Sequence, residues 1–317
     1  MEWISKCVSS LYSNDCPSDC KKSCLPPIVS EPLPDIEPTR DCLGCDKPCG
    51  LHPVVPPNLN IDQSRPLYNT VPAYAIHIII LTGKADWPAH IEDDGVAKAL
   101  IEAINVRKKK VSMFERSEND RFHLRSLRAS VPDRDSLSQR IIVTNASLSS
   151  QYTKQRNACD VLLMPDNVII SNITPRRANA FIDFVCGKPS DQFTVRPSPF
   201  TNLLLVCGHA RKDRRCGTLG PMLQTALTTA MDNAGVPGQV ALCSHLGGHA
   251  FAGNVVLYTH NGQRAIWYGR VTPCHCAEIV QLSILQDRVI QELVRGVFDA
   301  GCVSSQRVNN KAALLDW

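Results

Sequence analysis

Two cysteines nine positions apart and two histidines four apart are the residues of this chain best suited to chemistry. The first pair lies in Cys207-Gly-His-Ala-Arg-Lys-Asp-Arg-Arg-Cys216-Gly217, the second in His245-Leu-Gly-Gly-His249. Two soft thiolates with two imidazoles make a ligand set for zinc, or for an iron–sulfur cluster of Rieske type. Gly247 and Gly248 would let the backbone approach a cluster closely and donate N–H groups to its sulfides. Rival sets exist nearby: Cys207-Gly-His209, Cys243-Ser-His245 and Thr272-Pro-Cys274-His-Cys276. Spacing alone leaves these sets comparable.

The elements around these residues read as an alternation of strands and helices. Leu203–Val206 is a short apolar run ending directly at Cys207, hence a buried strand. A helix over 219–234 is closed by Gly235, and strands follow at 240–243, 255–258 and 265–268. Apolar positions three and four apart predict a long helix over 277–298. In this β-α-β-β-β-α order the cysteine-bearing loop sits at the C-terminal end of the first strand, the place of the redox loop in a thioredoxin-like unit. The cysteine loop and the histidine loop leave neighbouring strand ends, so they can converge. Upstream, a strand at 73–81, a helix at 92–110, strands at 141–144, 161–164 and 168–171, and a helix at 176–185 repeat a looser version of this order. The expected class is α/β: a Cys/Pro-rich, largely disordered segment over 1–70, a smaller α/β domain over 71–190, related to the next or a degenerate copy of it, a thioredoxin-like domain over 191–305 and a tail over 306–317.

Composition narrows the function classes. With 317 residues and 44% hydrophobic content the chain can bury a sizeable core. A net charge of +4 is too small for a nucleic-acid binder, and Arg107-Lys-Lys-Lys110 reads as a solvated helix end. No run approaches the ~18 apolar residues of a membrane span. The N-terminus has neither a secretory h-region nor an Arg-rich presequence, so a cytoplasmic location is expected. Fifteen cysteines, an odd count, fit metal or redox work better than a full disulfide framework in such a compartment. Seven of them fall before residue 50, in Cys16-x3-Cys20-x3-Cys24 and Cys42-x2-Cys45-x3-Cys49 among others; oxidisable tail is the default reading.

The blocks Cys207–Gly217, His245–Asn254 and Trp267–Pro273 together resemble the sucrase/ferredoxin-like family, in the form of the fungal actin-patches-distal type. The resemblance extends to Thr82-Gly-Lys-Ala-Asp-Trp87 and Asp41-Cys-Leu-Gly-Cys-Asp46, and so covers roughly residues 41–317. It implies a thioredoxin-like ferredoxin domain with one [2Fe–2S] cluster. The implied ligands are Cys207 and Cys216 on one iron and His245 and His249 on the other. His209 becomes a loop-shaping residue and Cys243 a buried strand residue. Such a centre has a potential of about −150 to +300 mV, against about −400 mV for all-cysteine plant-type ferredoxins. A coordinated imidazole keeps an ionisable N–H, so the potential is expected to fall with pH, by up to ~59 mV per unit for one proton per electron. A glycosidase would need two carboxylates placed across a sugar site, and no such pair stands out.

The terminal Leu315-Asp316-Trp317 resembles the tripeptide by which cytosolic iron–sulfur clients dock on the cytosolic assembly targeting complex. A terminal indole and carboxylate can anchor together in one pocket. The basic residues Arg211, Lys212, Arg214 and Arg215 suit either an acidic redox partner or a solvated turn. The sequence thus favours a non-enzymatic electron carrier in redox homeostasis. Two alternatives stand beside it: a thiol–disulfide oxidoreductase, for which the Cys207–Cys216 spacing is too long, and a structural zinc module.

Overall fold

The structure, a computed structural model, describes residues 55–119 and 140–299. Ten strands form one mixed sheet, built from two runs with the same internal order. In the first, β1 (Ile76–Leu81) is followed by helix α1 (Gly95–Asn119), β2 (Ile141–Ala146), β3 (Cys159–Met164), β4 (Val168–Ile173) and helix α2 (Ala178–Val185). After the short edge strand β5 (Val195–Pro197) the second begins with β6 (Leu203–Cys207). It continues through helix α3 (Arg214–Ala234), β7 (Gln239–Cys243), β8 (Val255–Thr259), β9 (Arg264–Tyr268), α4 (Cys276–Glu278) and β10 (Val294–Asp299). In each run the first strand pairs parallel with the second and antiparallel with the third, and the fourth pairs antiparallel with the third. The whole order is β10-β9-β8-β6-β7-β2-β1-β3-β4-β5.

The two runs meet through a single register pair, Ala146 with Cys243. A flat sheet would hold β1 and β8, four places apart, roughly 19 Å from each other at ~4.8 Å per strand. Yet His77 Nδ1 on β1 lies 2.7 Å from the Tyr258 hydroxyl on β8. The sheet therefore folds over at the β2–β7 junction and its halves face each other across one core. This explains why β1 and β6 are apolar at nearly every position and buried throughout: both faces are covered. On β1, Ile76, Ile78 and Ile80 pack under α1 and α2, while Ile79 and Leu81 join the shared core.

Most predicted strands and helices are present with shifted ends, α1 running on to Asn119 and α3 starting at Arg214 rather than 219. The basic run at 107–110 is thus helix interior, and Arg107 Nη1 binds Asp183 at 2.9 Å. The long helix expected over 277–298 is corrected. Only Cys276–Glu278 is α-helical; the chain widens into a π-helical stretch over Ile279–Leu285, and Val294–Asp299 is a strand paired with β9. The break is at Asp287, which takes a left-handed backbone (φ 55) and accepts from Arg264 Nη1 and His260 Nε2. Arg264 Nε also binds Asp299, so ion pairs to β9 hold the segment extended.

The expectation of a largely disordered segment over 1–70 meets the described residues only at 55–70. The described part, 55–70, is irregular but fastened down, with Leu59 and Leu67 buried. Its carbonyls are taken by side chains: Arg270 donates to Asp62 O and Arg65 O, at 2.6 and 2.7 Å. The rest of that segment, the 306–317 tail and the cysteines before residue 50 lie outside the described residues.

Candidate functional site

Asp213 places Cys216. Its carboxylate accepts from Arg215 N at 2.9 Å, which caps α3 and starts the helix there, so that Cys216 falls in the first turn and faces inward. Cys207 is the last residue of β6, held by its own N–H to Asn254 O at 3.0 Å. Both thiols are buried, at 2% and 0% exposure. The sulfurs lie in contact: the Cys216 thiol, aided by the His245 imidazole, pulls Cys207 well below the usual thiol range despite burial. The same contact, together with burial, pushes Cys216 strongly up.

The histidines come from the loop after β7. Gly247 and Gly248 both have positive φ, 77° and 67°, and this doubles the chain back so that His245 and His249 sit side by side with ring centroids 5.6 Å apart. His249 is exposed, and burial of its inner side pulls its pKa down against the upward pull of Asp213. His245 is half-buried, and its Nδ1 is sealed from solvent with no hydrogen-bond partner. A buried ring nitrogen without a hydrogen-bond partner, close to two thiols, is chemically able to act as a metal donor.

His209 cannot compete as a ligand. Its Nε2 lies 3.1 and 2.9 Å from the carbonyls of Trp87 and Pro88, which only accept, so Nε2 carries the proton. Nδ1 then accepts the His245 backbone N–H at 3.3 Å. Both nitrogens are used, and the ring positions the histidine loop. Cys243, beside Cys207 in register, is a buried thiol pushed well up by burial. In the 272–276 segment, His275 Nδ1 accepts the Thr272 N–H and Cys276 donates to Thr272 O, while His275 Nε2 is buried without a hydrogen-bond partner.

The four residues singled out by spacing are thus brought into one neighbourhood as two pairs, sulfur buried and nitrogen toward solvent. They do not form a closed cage: among the described residues no group of three or more His, Cys, Asp or Glu could hold a metal ion. As a donor set, two soft thiols and two imidazoles would suit either zinc or an iron–sulfur cluster of Rieske type. Of the basic residues, Arg215 is bidentate to Asp213, Arg211 lies 3.5 Å from Asp86, and Lys212 lies 3.4 Å from His90.

One buried charged side chain beside the site escapes the sequence reading. Arg295 is 1% exposed and sits under the histidine loop, with Nη1 donating to Gly247 O (3.1 Å) and Asn254 Oδ1 (2.7 Å). Burial pulls it down to about 10, against the opposing pull of Cys207 and Cys216, so it remains charged at neutral pH. The available signal was the extended-friendly Val294-Arg-Gly-Val-Phe298, which was read as helix.

A sequence model of the family described as sucrase/ferredoxin-like matches residues 67–296. Curated relatives are called "Altered inheritance of mitochondria protein 32". The one from Debaryomyces hansenii is 41% identical over 96 residues, 30% of this chain and 35% of the relative. The one from Clavispora lusitaniae is 41% identical over 95 residues, 30% and 34%. That from Candida glabrata is 38% identical over 100 residues, 29% and 31%. The matches thus span about a third of the length of these relatives. No solved structure matches the chain.

Proposed function

The chain belongs to the sucrase/ferredoxin-like family, and from that premise we propose that it is an electron-transfer protein carrying one [2Fe–2S] cluster on Cys207, Cys216, His245 and His249. The observation that carries the reading is the pairing itself. Two touching buried sulfurs face an imidazole whose ring nitrogen has no partner, and a second imidazole lies on the solvent side. Held by these four residues, such a cluster would supply reversible one-electron chemistry. The chain's own contribution is positional: Asp213 fixes the cysteine helix, His209 the histidine loop.

The repeated strand order supports two thioredoxin-like halves, a first at 71–190 without ligands and a second at 191–305 with them. The proposal extends to a cytoplasmic role in redox homeostasis, and to delivery of the cluster by the cytosolic assembly targeting complex through Leu315-Asp316-Trp317. Deleting Trp317 should lower iron occupancy in cells without lowering the melting temperature; unchanged occupancy removes that role.

One observation favours a thiol–disulfide oxidoreductase instead, namely the contact of Cys207 with Cys216. Burial of both sulfurs weighs against it, because an attacking thiolate must reach its substrate. Absorption spectroscopy with iron, zinc and sulfide analysis separates the readings. A red-brown protein with iron and acid-labile sulfide in equal amounts is expected. A colourless protein stoichiometric in zinc, or one free of metal, overturns the proposal.

A further inference from the structure

Arg295 is a buried cation whose side-chain hydrogen bonds reach no carboxylate. Its four hydrogen bonds end on neutral acceptors: Gly247 O, Asn254 Oδ1, Thr70 Oγ1 at 3.0 Å and Thr70 O at 3.4 Å. Among the described residues no carboxylate is paired with it. A charge removed from water costs several kcal/mol unless an opposite charge answers it, so a site keeps such a residue only where negative charge is expected. The guanidinium is fastened to the loop between the two histidines, Nη1 donating to Gly247 O.

The backbone is shaped around this side chain. Arg295 falls at the register shift between Val294 and Gly296, a β-bulge in the β9–β10 pairing; bulges re-aim a side chain. Here the side chain is sent into the molecule, under the loop carrying both histidines. A Cβ on Gly248 would stand 2.4 Å from Arg295 Nη2, and one on Gly269 would stand 2.8 Å from Arg295 Cδ. Two glycines are therefore required by the path of one arginine. A purely structural arginine would be better served by a carboxylate where Asn254 stands.

We propose that Arg295 is the fixed counter-charge of the reduced cluster, a positioning residue that raises its midpoint potential from beneath the histidine loop. This rests on the reading above. An oxidised [2Fe–2S] core with two thiolates and two neutral imidazoles carries no net charge. One electron, supplied by an electrode or by dithionite, leaves a single negative charge, and Arg295 answers it. Its positive charge therefore stabilises the reduced form more than the oxidised form.

The test is the midpoint potential of purified cluster-loaded protein with Arg295→Lys, Arg295→Gln and Asn254→Asp. Arg295→Gln should lower the reduction equilibrium constant at least tenfold, which is 59 mV for one electron. Arg295→Lys should restore most of the loss. Asn254→Asp keeps the guanidinium and nearly the side-chain shape but sets a carboxylate against it, and should move the potential in the same direction. That variant decides the matter if Arg295→Gln does not fold. The rise in melting temperature between cluster-free and loaded protein should also shrink in Arg295→Gln, where a merely structural role would lower both forms alike. Wild-type potential in iron-replete Asn254→Asp or Arg295→Gln overturns the inference. Absence of iron and sulfide from the wild type would instead overturn the reading it rests on.

Discussion

The two halves of the sheet share one strand order and differ in what hangs from it. After β6 the chain makes a loop with a cysteine at each end; after β1 the equivalent loop carries Thr82, Gly83 and Trp87, with no thiol or free imidazole turned toward a partner. After β7 stand two histidines on a pair of left-handed glycines. After β2 stand serines that close the loop by hydrogen bonds, Ser150 Oγ donating to Leu81 O at 3.0 Å. Where the second half gathers metal-type donors, the first gathers a buried carboxylate that is already satisfied. Asp160 accepts from Gln151 N and Tyr152 N at 2.7 Å and from Thr153 Oγ1 at 2.5 Å. The same scaffold thus carries the candidate site in one half and its support in the other. The support is physical: Trp87 and Pro88 of the first half hold the ring of His209, and His209 holds His245.

Breaking the active half should cost most. Cys216→Ala should abolish iron and sulfide retention, while Cys186→Ala in the first half should leave both unchanged; equal losses in the two variants would erase the distinction between halves. Breaking the support should cost less. Trp87→Ala removes a buried aromatic and should destabilise the fold by about 3–5 kcal/mol in urea unfolding, with faster cluster loss, since His209 loses its anchor. His209→Gln should cost about 1–3 kcal/mol, the penalty for two bonds lost at a buried site, and should speed cluster loss without abolishing assembly.

A pH-dependent effect sharpens how the halves are joined. His77 is fully buried between Tyr258 Oη and Thr144 Oγ1, and burial holds its pKa at about 3 against 6.5 when unfolded. It is neutral in the fold, so below pH 6.5 only the unfolded chain takes up its proton. Stability tied to this residue is complete above pH 6.5 and is lost at about 1.4 kcal/mol per pH unit as the pH falls toward 3. Urea unfolding midpoints of wild type and His77→Asn should diverge above pH 6.5 and approach each other below it; parallel curves would contradict the assignment.

Much of this was legible from residue order. Runs such as Ile76–Leu81 and Leu203–Cys207 announce strands buried on both faces, and Cys207, Cys216, His245 and His249 announce a donor set before any contact is known. Other parts needed three dimensions. The helix expected from 219 begins five residues earlier, at Arg214, because Asp213 caps it and packing overrides the low helix propensity of Gly217. The stretch from Ile279 to Phe298 reads with helical period, but partners on β9 exist only in the fold and turn its end into a strand. Arg295 was hidden by that same error. Residues 55–70 read as irregular, and they are; what fixes them is donors from Arg270 and Arg295, more than 200 positions away.

The account stands on sulfur ligation inside and nitrogen ligation at the surface. Pulsed electron paramagnetic resonance on the dithionite-reduced protein, with histidine labelled in nitrogen-15, tests it most directly. The expected result is a signal coupled to two distinct imidazole nitrogens, one of which vanishes in His249→Cys while the cluster survives at a lower potential. A reduced cluster with no coupling to histidine nitrogen, or no paramagnetic signal from protein shown to contain zinc, would contradict it.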